Sequence, residues 1–205
     1  MGYLKQLLKL LRSGRIIRTA IEYFNYLYYR YQLWIALKAK TPDIIFMKIY
    51  QKNIWGNKES LSGPGSTLRY TEGLRENLPI LLNRFSIKTL YDAPCGDFNW
   101  MQHVIADKEI NYIGADIVKD LIQLNKHKFQ NDKRQFIVAD ITKDPFPKAD
   151  LWFCRDCLPH FSYKDVYLAL SNFVKSEILY ILTSKYTSNL SFKNIEIYTG
   201  NSIFI

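Results

Sequence analysis

The sequence predicts an α/β fold built on a doubly wound, mostly parallel sheet. Short apolar runs stop at Asp92, Asp116 and Asp140, and these three carboxylates recur every 24 residues. A short apolar run that ends abruptly at a charge reads as a buried strand. An interval of 24 residues holds a strand, a helix and the return to a parallel neighbour. Helical and strand patterns go on alternating to Thr183, which requires right-handed crossovers over one sheet. The three acidic strand ends then lie along the carboxyl edge, where open α/β sheets bind ligands. That placement alone makes a nucleoside ligand the leading expectation.

The elements follow in order. Leu4, Leu7, Leu8 and Leu11 repeat at helical spacing with Lys5, Lys9 and Arg12 on other faces, and Gly14 interrupts the pattern. A second helical stripe runs through Ile17, Ile21, Phe24, Tyr28, Tyr31 and Ile35. Pro42 ends this arm, so residues 1–41 form a basic helical arm and 42–205 the main domain. Asp43–Lys52 reads as a helix, and Asn53–Thr67 as a loop by its Gly, Ser and Pro content. Thr71–Phe85 is helical and leads into strand Thr89–Tyr91. The remaining order is helix Asn99–Asp107, strand Tyr112–Asp116, helix Lys119–Phe129, strand Gln135–Asp140, strand Leu151–Cys154, helix Tyr163–Ser176 and strand Ile178–Thr183.

A chain of 205 residues with 48% hydrophobic content can bury one substantial core. Its three cysteines lack the spacing of a disulfide framework, which suits a reducing compartment. Charge is unevenly placed. Residues 1–40 carry eight Lys/Arg against Glu22, or +7 of the total +9. Arg18, Glu22 and Arg30 interrupt the apolar stretch of the arm, which argues against a spanning helix. No uninterrupted apolar segment leads to a cleavage site, so the expected location is cytoplasmic. A basic, aromatic amphipathic arm suits the inner face of a membrane, and it equally suits packing on the domain or on a second copy as a homodimer. Nucleic acid is disfavoured as a partner because the positive charge is confined to the arm.

Five stretches carry the chemistry: IWGNKESLSGPGS, YDAPCGDFNWM, YIGADIV, ADITKDPFPKADLWFCRDCLPHFS and a late YTG. Together they resemble the Rossmann-like S-adenosylmethionine-dependent methyltransferases. Within these, the chain is most similar to a bacterial group associated with capsule and surface-polysaccharide biosynthesis. The resemblance spans roughly 53–200 and implies S-adenosylmethionine as cofactor and a small-molecule or glycan-precursor acceptor.

Residue by residue, the resemblance assigns Asp92, Ala93, Pro94, Cys95, Gly96 and Asp97 to the loop that wraps the methionine end of the cofactor. The general pattern is D-x-G-x-G-x-G, and here Pro94 and Phe98 stand where two glycines are usual. No G-x-G-x-x-G of a dinucleotide-binding enzyme is present. Asp116, followed by Ile117, matches the acidic residue that accepts both ribose hydroxyls, and Asp140 with Ile141 matches the position that reads adenine. A helix N-cap is the alternative role for either Asp. Trp55, Gly56, Gly65 and Ser66 resemble a segment that folds over the cofactor, and Arg69 or Arg75 would pair with its carboxylate or with an anionic acceptor. Cys154 and Arg155 follow the fourth strand and would line the cofactor cleft. The C-x-x-C they open lacks a second cysteine pair for zinc.

His160 is the candidate general base, because a hydroxyl acceptor must lose a proton as it attacks a sulfonium methyl group. Asp156 is the second candidate, as base or as orienter of the acceptor. The Asp/Asn/Ser-Pro-Pro-aromatic signature of amino-group methylation is absent here, so transfer to oxygen on a sugar or sugar substituent is expected. Only Lys185–Ile205 remains for the antiparallel closure usual in such folds. A minimal enzyme and a truncated, catalytically weak domain that binds a membrane or a partner are therefore both open.

Overall fold

The computed structural model describes residues 15–39, 41–55, 57–106, 109–185 and 195–201. The leucine pattern at 4–11, Gly14, Gly56 and the tail 202–205 lie outside them. Helix α1 spans Arg15–Leu37 and α2 spans Pro42–Gln51, with Pro42 at the first helical turn, where its missing N–H costs nothing. A single 3₁₀ turn, Pro64–Ser66, lies in the long loop before α3, Glu72–Arg84. The body continues as β1 Thr89–Asp92, α4 Met101–Ile105, β2 Asn111–Asp116, α5 Lys119–Phe129 and β3 Arg134–Val138. It closes with β4 Leu151–Cys154, a 3₁₀ turn at Leu158–His160, α6 Tyr163–Lys175 and β5 Tyr180–Thr183.

The five strands form one parallel sheet in the order β3-β2-β1-β4-β5. The chain winds outward from β1 to β3, then crosses back to β4 on the other side of β1. The order reverses between β1 and β4, and a crevice opens at the carboxyl ends of strands where such a reversal occurs. Alternation along the strands sorts the core into two layers. Leu90, Tyr112, Phe136 and Phe153 face the helices α3, α4 and α5. Tyr91, Ala115, Trp152 and Cys154 face α6 and the Phe146–Phe161 region. A third, smaller cluster joins Leu33 and Ala36 of α1 to Ile45 and Ile49 of α2.

Two boundaries differ from the sequence reading in ways that bear on the site. Strand β3 stops at Val138, so Asp140 lies two residues beyond its end rather than closing it. The Ala139 N–H still donates to the Asp116 carbonyl at 3.1 Å, and the chain then turns, with Lys143 and Asp144 amides on the Asp140 carbonyl. Helix α4 is shorter than expected, ending at Ile105.

Candidate active site

Asp92 and Asp116 end β1 and β2 as the spacing predicts, and both are buried. Asp92 accepts the Tyr112 hydroxyl at 2.6 Å. Burial pushes its pKa up to about 7 against the lowering effect of that hydroxyl, and the neighbouring Asp116 charge raises it further. Asp116 Oδ2 accepts the Gly96 amide at 3.1 Å and Oδ1 the Val118 amide at 3.0 Å. Burial raises its pKa to about 6, although the amides of Val118, Gly96 and Ile117 pull it down. A carboxylate offers about four acceptor sites. These three amides leave Asp116 capacity for a further donor.

Gly96 is the pivot of the turn after β1. Its φ is +56°, and a Cβ there would stand 2.2 Å from the Ser62 hydroxyl, so a side chain would collide as well as strain the backbone. The two departures from the glycine pattern are accommodated differently. Pro94 lines the cleft, whereas Phe98 turns into the core against Tyr112, Phe129 and Phe136. The carbonyl of Gly96 is held from the other side by Asn125 Nδ2 at 2.7 Å. Asn125 is fully buried on α5, a residue that sequence reasoning missed. The available signal was a polar residue at the position that continues the buried Leu121–Ile122 face.

The loop 57–68 folds over this turn. Asp97 accepts the Leu61 amide at 2.7 Å and the Ser60 hydroxyl at 3.0 Å, while its own amide donates to Ser62 Oγ at 2.9 Å. Asn99 Nδ2 donates to Glu59 Oε1 and to the Ser66 carbonyl, each at 3.0 Å. Arg155 reaches in from the end of β4 and donates to the Gly65 carbonyl at 2.9 Å, with Asp156 Oδ2 at 2.8 Å. Asp156 takes a positive φ of 50°, and its amide and Oδ1 both engage the Ser184 hydroxyl. Loop, β1 turn and β4 end are therefore tied into one wall.

His160 also lines the cleft. Its Nδ1 lies 2.9 Å from the Asn201 carbonyl, and its ring packs on Trp55 with centroids 5.8 Å apart. A carbonyl can only accept, so Nδ1 bears the hydrogen and Nε2 of the neutral ring is the acceptor. The contact depends on residues 195–201 returning across the turn: the Gly200 amide donates to the His160 carbonyl, and Thr199 Oγ1 accepts the Ser162 amide at 2.9 Å and also bonds Asp165.

These walls enclose a cavity of about 590 Å³, within the size range of small-ligand sites. Of the residues the sequence singled out, Trp55, Gly65, Ser66, Asp92, Pro94, Cys95 and Gly96 line it from the loop and the β1 turn. Asp116, Ile117, Asp140, Ile141, Arg155, Asp156 and His160 line it from the other strand ends. Ala93 and Cys154 are fully buried outside the lining, Cys157 taking the place expected for Cys154. Asp97 serves the loop instead. Arg69 is exposed, and Arg75 donates to the Leu68 carbonyl, so neither cation reaches the cleft. Arg155 is the guanidinium that does.

Asp140 is already engaged. Its Oδ1 accepts the Thr142 amide and hydroxyl, and its Oδ2 pairs with Lys143 at 2.8 Å. Burial would raise its pKa, but these contacts outweigh it and hold the carboxyl below its ordinary value. The turn-capping role is thus visible, and the cleft-facing role is limited to what its remaining capacity allows.

Residues 91–176 match the model of a methyltransferase domain family, and that family uses S-adenosylmethionine. No curated protein matches the chain. Among solved structures, human N-acetylserotonin methyltransferase in complex with SAM aligns at 16% identity over 64% of this chain and 37% of its own, with a TM-score of 0.46. The N-methyltransferase NodS from Bradyrhizobium japonicum WM9, in complex with S-adenosyl-L-homocysteine, aligns at 14% identity over 62% of this chain and 66% of its own, with a TM-score of 0.49. The O-MT segment of StiE aligns at 19% identity over 62% of this chain and 50% of its own, with a TM-score of 0.46. The alignments thus span less than two thirds of each of these chains.

Proposed function

We propose that the protein transfers a methyl group from S-adenosylmethionine to a hydroxyl oxygen of a sugar, or of a sugar substituent, in a surface-glycan precursor. One observation carries the reading: a single cleft holds both Asp116, a buried carboxylate with acceptor capacity beyond its backbone amides, and His160, whose Nε2 is left as the acceptor. The methyltransferase-domain match over 91–176 points the same way.

The cleft suits the cofactor on its own chemistry. Its walls carry Asp92, Asp116, Asp140 and Asp156; Arg155 and Lys143 already pair with Asp156 and Asp140, which leaves the buried Asp116 as the carboxylate placed to meet a ligand. Asp116 would hold the ribose hydroxyls, and the Asp140–Ile141 turn would meet the adenine. The β1 turn and Gly65–Ser66 would hold the methionine end, with Arg155 in reach of its carboxylate. When bound, the cofactor supplies a methyl group already activated on sulfur.

The rest of the work falls to the chain. The loop 57–68 covers the cleft and excludes water, and the wall formed by Arg155 and Asp156 orients the acceptor. Asp156 lines the same cleft as His160 and would align the acceptor hydroxyl. His160 Nε2 takes the proton of that hydroxyl as the oxygen becomes nucleophilic.

Incubation with methyl-labelled S-adenosylmethionine and hydroxyl-bearing sugar nucleotides tests this. The expected product is a methyl ether, identified by mass spectrometry. A methylamine product, or transfer that survives loss of both His160 and Asp156, would overturn the assignment.

A further inference from the structure

The helical stripe read in the sequence at Ile21, Phe24, Tyr28 and Tyr31 does not face the body. Helix α1 packs on α2 through a different face, Leu33 and Ala36 with Tyr29 and Leu37 beside them. The stripe is exposed, Ile21 54%, Phe24 70%, Tyr28 65% and Tyr31 55%, as are Tyr23, Tyr26 and Leu27 on other faces of the same stretch. Trp34, stacked on Tyr31 with Lys38 over its ring, extends the patch at 54% exposure. A run of exposed large apolar side chains on one helix marks an interaction surface.

We infer that α1 docks the protein on an anionic membrane surface, with the Ile21–Phe24–Tyr28–Tyr31 stripe seated at the headgroup boundary. Charge selects this occupant. Residues 15–39 hold Arg15, Arg18, Arg30 and Lys38 against Glu22, so a second copy laid against the stripe would bring two positive helices together. Glu22, the one acid of the arm, is already paired with Arg18 at 3.2 Å. An anionic bilayer complements that charge. The aromatic content suits the interface, where Tyr and Trp rings settle at headgroup level. No described helix is long and apolar enough to cross a membrane, so α1 lies along the surface rather than through it. Helix α2 carries α1 on one side and gives Phe46 and Tyr50 to the cleft on another. It is the layer between arm and cleft. The inference does not depend on the reaction proposed for that cleft.

The full chain, mixed with phosphatidylcholine vesicles with or without phosphatidylglycerol, provides the test by co-sedimentation. Binding is expected to require phosphatidylglycerol and to fall at ~1 M salt, where the Debye length is ~3 Å. A Phe24→Ser, Tyr28→Ser, Tyr31→Ser variant, altered only at exposed positions, should keep its circular dichroism and lose ~10-fold or more in partitioning. Absence of binding, binding that ignores the triple substitution, or equal binding to neutral vesicles would overturn the inference. So would a dimer of the full chain, seen by light scattering in solution, that the triple substitution dissociates.

Discussion

His160 shows how one backbone contact sets a side chain's chemistry. Because Nδ1 donates to the Asn201 carbonyl, the ring is held in the tautomer that a general base needs. His160→Gln should cut turnover by 10²–10⁴-fold, the usual worth of general base catalysis, while leaving cofactor affinity within about threefold. Rates equal to the parent would give the histidine a purely structural role against Trp55. The buried carboxylates make a separate claim about pH. Asp92 has an ordinary pKa of 3.8 and a folded value of about 7, set mainly by burial. Between those two values the folded state keeps a proton that the unfolded state has released. Stability from this group is therefore highest below about pH 4 and declines as pH rises towards 7. The full decline is about 4 kcal/mol by linkage. Urea unfolding at pH 5 and pH 7.5 should show about 2–3 kcal/mol of that loss, and Asp92→Asn should flatten it. An unchanged slope in the variant would mean that Asp92 is not the group responsible. Asp116 titrates near 6, so affinity for S-adenosylhomocysteine should be full above that value and weaken below it. Asp116 was legible because a strand end is announced by an apolar run stopping at a charge. Asn125 was not, since its role depends on which turn α5 happens to pack beside.

At the level of elements, the strongest local patterns fixed their own boundaries. Helix α5 and strand β4 span Lys119–Phe129 and Leu151–Cys154, as periodicity and apolar runs indicate. The end of β3 was misplaced because Ala139 prolongs the apolar run although the chain is already turning there. The direction of the α1 stripe was also out of reach of the pattern. Helical spacing marks an apolar face, but Leu33 and the small Ala36 decide which side approaches α2. The loop 57–68 lacks any periodic signal, yet it is the most heavily tethered part of the site. Asp97 alone takes the Leu61 amide and the Ser60 and Ser62 hydroxyls. Asp97→Ala should release the loop at a cost of about 2–3 kcal/mol, given charge-assisted bonds of that order and partial non-additivity. Amide exchange at Leu61 should speed up accordingly while exchange in β1 and β2 stays slow. If Leu61 keeps its protection, the loop is held by the Asn99 and Arg155 contacts instead.

Across the whole molecule, charge is divided by location. Residues 1–40 hold +7 of the +9 net charge, leaving residues 41–205 nearly neutral, while four aspartates line the cleft. A cleft that holds Asp116 and His160, at the point where the strand order reverses, is the feature on which the functional account rests. Isothermal titration of S-adenosylhomocysteine into the full chain tests it most directly. One molecule should bind per chain, and Asp116→Ala should weaken binding more than tenfold, since losing two charge-assisted bonds costs roughly 2–4 kcal/mol. Absence of binding to the parent chain, or parental affinity in a folded Asp116→Ala variant, would contradict the account.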